Sequence, residues 1–242
     1  MHVTPTRTVR DVVTDDFRAA AVFQGYGIDF CCGGEKTISE ACRELRLDAD
    51  EVAREVSDAC ARPDTSAPRY NEWETSALLR QIVDGHHAYV RRSLRTIATM
   101  LVKLVQVHGT RHPELAEVSG VFDELRAEML SHMGKEELIL FPYIAKVAAA
   151  VHDGEEVPPA SFGPIDNPIR VMEAEHDSAG AAVALIRNLT RGYTPPEDAC
   201  ATYRACFQEL EAFERDLQEH VHLENNILFP RARALAGWLQ TI

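Results

Sequence analysis

Two segments of the chain repeat one pattern of side chains that could bind metal. The first runs from His132 to Pro142 and the second from His220 to Pro230, and both read H-x3-E-x3-L-F-P. A histidine and a glutamate four residues apart lie on one face of an α-helix, about one turn apart. Imidazole and carboxylate groups are both good ligands for divalent metals. The repeat therefore predicts two helical hairpins, related by a pseudo-twofold axis, that each bring one such pair.

Each pair occupies positions where the apolar pattern of its helix predicts a core side chain. The core positions of the first segment are Leu115, Val118, Phe122, Leu125, Met129, His132, Glu136 and Ile139. Those of the second are Tyr203, Cys206, Leu210, Phe213, Leu217, His220, Glu224 and Ile227. A buried carboxylate must be protonated, paired or bound to metal, because leaving it bare in the interior is costly. Two facing carboxylates are best accommodated by a pair of metal ions.

Two further helical segments should each supply one histidine at the same level. His176 continues the apolar spacing of its segment, together with Met172 and Ala179. The other segment contains adjacent histidines, and only one of them can point inward. Choosing His87 keeps apolar residues on its face, whereas choosing His86 places polar residues there.

The predicted metal ligands are one histidine from each helix and two glutamates. They are His87, His132, Glu136, His176, His220 and Glu224. We expect two metals, each bound by two imidazole nitrogens, with both carboxylates and an oxo or hydroxo group as bridges. This set suits iron, manganese or zinc, and its symmetric carboxylate bridging favours two non-haem iron ions. Glu128 and Glu175 lie close to these ligands in the sequence. Either could orient a ligating histidine, but surface charge is the preferred interpretation of both.

The elements that carry these residues are four long amphipathic helices. Their patterns cover roughly 73–108, 113–150, 166–191 and 197–236, with short breaks rich in glycine and proline. No segment alternates with period two for long enough to predict a sheet. The expected fold is all-α, an antiparallel four-helix bundle.

A small helical unit precedes the bundle. We expect it to span residues 1–62, followed by a polar linker at 63–74 and by the bundle at 75–242. Apolar spacing predicts one helix over 9–21, and Thr37 with Glu40 predicts a capping box at the start of a second. A third helix is expected over 50–60.

Six cysteines are present, and none forms a CxxC pair. Cys31 and Cys32 are adjacent in a glycine-rich turn before a helix start, where a lowered thiol pKa would make them candidate nucleophiles or soft metal ligands. The alternative is two small buried residues in a tight turn. Cys200 and Cys206 are interpreted as core residues of the bundle, and His108 as a packing or capping residue.

The composition of the chain argues against a nucleic acid partner, a membrane span and secretion. The net charge of −13 would repel the phosphate backbone, so no nucleic acid partner is expected. No run of 18 apolar residues predicts a membrane span, and the N-terminus lacks the apolar stretch of a secretory signal. We therefore expect a cytoplasmic protein with free thiols.

Several motifs together resemble the Repair of Iron Centers family. The stretch GYGIDFCCGG is similar to its small cysteine-bearing domain, and HHAYV, SHMGKEELILFP, EAEHD and LENNILFPRA are similar to its hemerythrin-like domain. The resemblance covers nearly the whole chain. It implies a di-iron centre on the same six ligands, and it implies that Cys31 and Cys32 correspond to the family's paired cysteines.

The resemblance implies repair of iron–sulfur clusters damaged by nitric oxide or oxidants, with damaged iron–sulfur proteins as partners. Iron donation is one mechanism, and reduction of nitric oxide at two ferrous ions is an alternative that would make the protein an enzyme. A third hypothesis is a module that binds or senses oxygen or nitric oxide. The sequence leaves open whether the small domain docks on its own bundle or on a second copy in a homodimer.

Overall fold

A computed structural model of the chain describes residues 2–61, 68–157 and 159–238. Within those ranges all regular structure is helical, apart from a single antiparallel bridge between Thr8 and Thr37. The predicted all-α class is confirmed. No helix in the described part of the chain is long and apolar enough to span a membrane.

Four long helices form the bundle, and a π-helical turn interrupts three of them. Helix α5 comprises Thr75–Arg80, the π turn Gln81–His87 and Ala88–His108. Helix α6 comprises Glu114–Lys135, the π turn Glu136–Leu140 and Phe141–Asp153. Helix α7 is Asp166–Leu189, and α8 comprises Ala201–His222, the π turn Leu223–Leu228 and Phe229–Trp238. These bounds agree with the four predicted segments to within a few residues.

The bundle core has an apolar cluster on each side of a polar layer. Helix α5 packs on α6 and α8, and α6 also packs on α7. One cluster includes Ile97, Phe122 and Phe213, and the other includes Ile144 and Ile169, all of them almost fully buried. The predicted metal ligands lie along the helices between these two clusters.

The π turns shift the apolar pattern by one residue. Ile139 was predicted to face the core, but it is 52% exposed, and Leu140 is buried in its place. In α5 the fully buried side chain is likewise Ile82, whereas Val83 is only partly buried. A π turn inserts an extra residue into the helix, so a continuous 3.6-residue period fails beyond it.

The N-terminal unit contains four short helices, α1 to α4, which are Val9–Asp15, Ala19–Gly25, Ile38–Leu45 and Ala49–Ala61. The predicted capping box is present, because the Thr37 hydroxyl accepts from the Glu40 amide and the Glu40 carboxylate accepts from the Thr37 amide. The single helix predicted over 9–21 is wrong. Asp16 has extended dihedral angles and its carboxylate accepts from the Arg18 amide, which ends α1 before α2 begins.

The N-terminal unit packs against the bundle beside α7 and α8. Gln24 Nε2 donates to Gln218 Oε1 at 2.9 Å, and Asn226 Nδ2 donates to the Phe30 carbonyl at 3.0 Å. Of the predicted linker 63–74, residues 63–67 lie outside the described residues. Tyr70 begins a short 3₁₀ turn, is buried, and packs edge-on against a phenylalanine of the N-terminal unit. The domain boundaries themselves stay a prediction.

Candidate metal centre

The six predicted ligand residues converge in one buried layer. The π turn of α5 ends at His87, and the π turns of α6 and α8 begin at or next to Glu136 and Glu224. The relative exposure is 2% for His132, 1% for His176 and 0% for the other four. The four ligand side chains that the repeat places at core positions are therefore buried.

Each glutamate belongs to two groups of potential ligands. His87 and His220 form one group with both glutamates, and His132 and His176 form the other with the same two glutamates. Within each group the ligand atoms lie within 4.8 Å of one another. The two groups that could each hold a metal ion are therefore adjacent and have both carboxylates in common.

The imidazole nitrogens approach one another in pairs. The Nε2 atoms of His87 and His220 are 3.2 Å apart, and those of His132 and His176 are 3.1 Å apart. Two nitrogens that bind one metal at about 2.1 Å each lie roughly 3 Å apart when their bonds are near perpendicular. The nitrogen spacing therefore fits one metal per pair.

The carboxylates connect the two histidine pairs. Glu136 Oε2 is 3.3 Å from His87 Nε2 and 3.4 Å from His132 Nε2. Glu224 Oε1 is 3.0 Å from His220 Nε2, and its Oε2 is 3.0 Å from His176 Nε2. Each glutamate thus contacts one histidine of either pair.

The unsatisfied oxygens test whether these residues fit a metal. Both carboxylate oxygens of Glu136 and Oε2 of Glu224 are buried, and no group among the described residues makes an aligned hydrogen bond to them, although histidine nitrogens lie 3.0–3.4 Å from the two Oε2 atoms. Buried polar atoms almost always have a hydrogen-bond partner. A metal ion bound by these carboxylate oxygens would take the place of the missing partner. The donor set of imidazole and carboxylate fits iron, and the buried groups are suited to iron binding.

The electrostatics of the layer also favour a bound cation. Burial would lower the pKa of His132, but its contacts with Glu136 and Glu224 raise that pKa to about 9. Burial favours a protonated Glu224, yet His220 and His176 hold the pKa of Glu224 well below its ordinary value. An ionised carboxylate in the interior needs positive charge beside it, which a protonated histidine or a bound cation can supply.

The residue after each shared glutamate holds a histidine of the neighbouring helix. Glu137 Oε1 is 2.6 Å from His87 Nδ1, and Arg91 also donates to this carboxylate. Asn225 Oδ1 is 2.8 Å from His176 Nδ1. Such partners fix the orientation of a ligating imidazole. The sequence analysis missed both residues, although they occupy equivalent positions in the repeat.

His132 has a partner that the sequence analysis misjudged. Glu175 Oε2 is 2.9 Å from His132 Nδ1, and the same carboxylate pairs with Lys135. The interpretation of Glu175 as plain surface charge is therefore wrong. Glu128 is exposed and accepts a hydrogen bond from the Ser178 hydroxyl at 3.4 Å, which agrees with a surface role.

The phenylalanine of each repeat stacks on the histidine of the preceding helix. Phe141 lies 5.8 Å from the His87 ring at an interplanar angle of 18°, and Phe229 lies 6.1 Å from the His176 ring at 5°. His86, which was predicted to point away from the core, is nevertheless buried and stacks on His220. It belongs to neither ligand group.

The cysteine pair lies in a turn that Asp29 organises. Its carboxylate accepts from the amides of Cys31 at 2.9 Å and Cys32 at 3.0 Å, and from the Cys31 thiol at 3.2 Å. The pKa of Cys31 is raised well above its ordinary value by its hydrogen bond with Cys32, by burial and by Asp29. The expected lowering of the thiol pKa is therefore wrong for Cys31, because Cys32, burial and Asp29 all disfavour its thiolate.

Both cysteines line a cleft between the N-terminal unit and the bundle. The cleft has a volume of about 750 Å³ and extends to His176. Asn225 lies at the same contact, since its Nδ2 donates to the Cys31 carbonyl at 3.4 Å. The structure thus brings the cysteine turn close to one of the predicted ligands.

Comparison with known proteins finds two family models that match separate parts of the chain. The model of the hemerythrin HHE cation binding domain matches residues 78–232. The model named ScdA_N, described as a domain of unknown function (DUF542), matches residues 5–60. Fold and site together define a hemerythrin-like metal-binding protein.

Curated relatives match almost the full chain. The iron-sulfur cluster repair proteins YtfE of Yersinia pestis (strain Pestoides F) and Yersinia pseudotuberculosis (serotype O:1b, strain IP 31758) are each 36% identical to this chain over 219 residues. The alignment covers 89% of this chain and 91% of each relative. The chain belongs to the Repair of Iron Centers family of the YtfE type, as the resemblance indicated.

Proposed function

We propose that this chain is a di-iron protein that repairs iron–sulfur clusters damaged by nitrosative or oxidative stress, and that it does so by donating iron. The observation that carries the proposal is the pair of four-residue groups that share Glu136 and Glu224 in a buried layer. The name of the relatives, iron-sulfur cluster repair protein, supports the same role. Damaged iron–sulfur proteins are the proposed partners.

In this proposal six residues and one bridging oxo or hydroxo group hold two irons. One iron is assigned to His87 and His220, the other to His132 and His176, and both to the bridging Glu136 and Glu224. Bound iron would supply a redox-active Lewis acid. The chain contributes buried carboxylates and imidazoles whose orientation is fixed by hydrogen bonds and by stacking.

Iron is the cargo in this reaction, so it needs a route out of the protein. The cleft that extends to His176 supports such a route. Cys31 and Cys32 line it, and we assign them the role of candidate thiols that bind iron on its way to the damaged cluster. Replacing both with serine should leave iron content unchanged and slow transfer.

The decisive experiment is repair of a damaged iron–sulfur enzyme by purified protein. The iron-loaded chain should restore the enzyme's activity and its cluster absorbance, whereas metal-free chain should not. Glu136→Gln protein serves as a variant depleted of iron. Equal recovery with metal-free chain would contradict iron donation. Metal analysis and Mössbauer spectroscopy test the centre separately, with two irons per chain expected, and a single iron would contradict the shared carboxylates.

Reduction of nitric oxide is the second candidate function. The observation that favours it is the sharing of both carboxylates, which would bring two metals close enough for two small ligands to react together. The cleft reaches His176, which supports access of a small uncharged molecule to the layer. The anaerobic, reduced protein should then produce nitrous oxide with multiple turnovers. Binding of nitric oxide without turnover would exclude this function.

A further inference from the structure

A second cluster of reactive groups lies at the other end of α5 from the metal layer. His108 is the last residue of that helix, and it follows His87 by roughly 30 Å along the helix axis. Cys200 Sγ lies 3.3 Å from His108 Nε2. The thiol is exposed, so the sequence-based interpretation of Cys200 as a core residue is wrong. Cys206, by contrast, is buried as predicted.

The imidazole of this pair is held in place and faces the thiol. His108 is only 5% exposed, and its ring packs edge-on against Tyr203 at 5.4 Å. Its Nδ1 atom has no hydrogen-bond partner among the described residues. Among the described residues, His108 therefore makes a polar contact through Nε2 and not through Nδ1. The Nε2 atom can accept the proton of the Cys200 thiol.

The thiol also sits at the start of a long helix. Cys200 is the N-cap residue of the 22-residue segment Ala201–His222, and no side chain caps this end. The free amides of the first turn and the helix dipole favour negative charge there. The nearby carboxylate of Asp198 is paired with Arg111 at 3.1 Å and with His112 at 3.0 Å. Its charge is thus largely offset.

We propose that Cys200 and His108 form a peroxide-reactive thiol site. The proton of the thiol passes to His108 Nε2, and the Cys200 sulfur attacks one oxygen of a hydroperoxide. The O–O bond breaks, an S–O bond forms, and the proton from His108 leaves with the other oxygen. For hydrogen peroxide the products are a sulfenic acid and water, with the sulfur oxidised and the peroxide reduced. The exposed position suits a small reagent of this kind.

Peroxide oxidation of the full-length, air-oxidised protein tests the site. Limiting hydrogen peroxide is added at pH 7, sulfenic acid is trapped with dimedone, and labelled peptides are quantified by mass spectrometry. Cys200 should be labelled more than tenfold faster than Cys31, because the raised pKa of the Cys31 thiol keeps it protonated at this pH. His108→Gln should slow labelling of Cys200 by a similar factor. His152→Gln, which changes an exposed histidine of α6 outside this cluster, should leave it unchanged.

A second measurement needs no variant. Iodoacetamide should alkylate Cys200 at pH 7 about tenfold faster in the native protein than in protein unfolded in urea, since unfolding separates thiol and imidazole. Equal or slower alkylation of the native protein would overturn the proposal. Labelling of Cys200 at the wild-type rate in a folded His108→Gln protein would do the same.

Discussion

Hydrogen bonds to the outer nitrogens of the histidines decide how firmly the metal layer is held. Glu137 receives hydrogen bonds from Arg91 and contacts His87, while Glu175 pairs with Lys135 and contacts His132. Each carboxylate is thereby held by a surface cation while it orients a buried imidazole. The position of the buried ring thus depends on a partly exposed pair.

Replacing Glu137 with glutamine should weaken metal binding by about tenfold, which is the usual effect of losing such a partner. The amide keeps the size of the side chain but removes the charge that faces His87 and Arg91. Competition with a chelator measures the affinity. Glu128→Gln is the matched control, because Glu128 is exposed and its carboxylate accepts from Ser178 on the surface. An equal loss in both variants would mean that bulk charge, and not the contact with His87, matters.

At the scale of single residues, the sequence predicts the positions of the metal ligands. It predicts only in part the residues that contact the ligand histidines. Core periodicity marks His132 and Glu136 because a polar pair interrupts an apolar series. Glu175 carries no such mark, since a glutamate that contacts a histidine on another helix looks the same in sequence as one that faces water. Glu137 and Asn225 could have been found by comparing the residues that follow each repeated glutamate.

At the scale of the helix, the π turns determine which way the ligand side chains point. Leu138 lies inside the π turn of α6 and is 80% exposed. Deleting it should let the segment become α-helical with Leu140 still facing the core. The directions of Glu136 and Glu137 would change, and metal affinity should fall by roughly tenfold or more.

Chelator competition and circular dichroism together measure this deletion. Helix content should stay near that of the wild type while affinity falls. Leu138→Ala, which keeps the extra residue, should bind metal normally. Unchanged affinity after the deletion would show that the π turn is not required. The apolar period of one sequence does not predict the π turns. A one-residue insertion leaves no mark other than a shift in the register of the apolar pattern.

In the N-terminal unit, one ion pair stabilises the break between α1 and α2. Asp16 accepts hydrogen bonds from Arg18, whose guanidinium also donates to the Cys60 carbonyl at 2.7 Å. The hydrogen bond from Arg18 lowers the pKa of Asp16 below its ordinary value of 3.8. A carboxylate whose pKa is lowered by folding stabilises the folded state above the unfolded value, and this is lost as the pH falls through the folded value.

Asp16→Asn should therefore lower the free energy of unfolding at pH 7 by about 1–2 kcal/mol, as for other hydrogen bonds to charged groups. The difference from wild type should stay constant down to about pH 4 and narrow below it. Urea unfolding at several pH values measures this. Asp15→Asn is the control, because Asp15 forms a more exposed pair with Arg7 and should change stability by under about 0.5 kcal/mol. A pH-independent difference would contradict the ion-pair explanation.

At the scale of the whole molecule, aromatic rings join the two parts of the chain. Phe17 of the N-terminal unit lies 5.6 Å from the ring of Tyr70 and 5.6 Å from that of His222, which is buried in α8. The sequence identified both units, but not their contact. Phe17 lies within the helix predicted over 9–21, and nothing in the sequence indicates which residues it contacts. The contact between the units depends on surfaces that form only after each unit has folded.

Phe17→Ala should weaken this contact by about 1–3 kcal/mol, less than for a fully buried phenylalanine. Hydrogen exchange by mass spectrometry should become faster in peptides of the N-terminal unit and stay unchanged in α6. Phe162→Ala is the control, because Phe162 packs on Tyr143 away from the contact. Equal acceleration in both variants would indicate general destabilisation.

Each of the two ligand groups takes two side chains from the hairpin of α5 and α6 and two from the hairpin of α7 and α8. A metal in either group would cross-link the two halves of the bundle, so its binding free energy would oppose their separation. The positions of the ligand residues along the chain also determine when the two ligand groups become complete. Because His220 and Glu224 lie in α8, neither group is complete until α8 has been synthesised and both hairpins have met. Metal loading would then follow the meeting of the hairpins, and a chain cut short before α8 could assemble neither position.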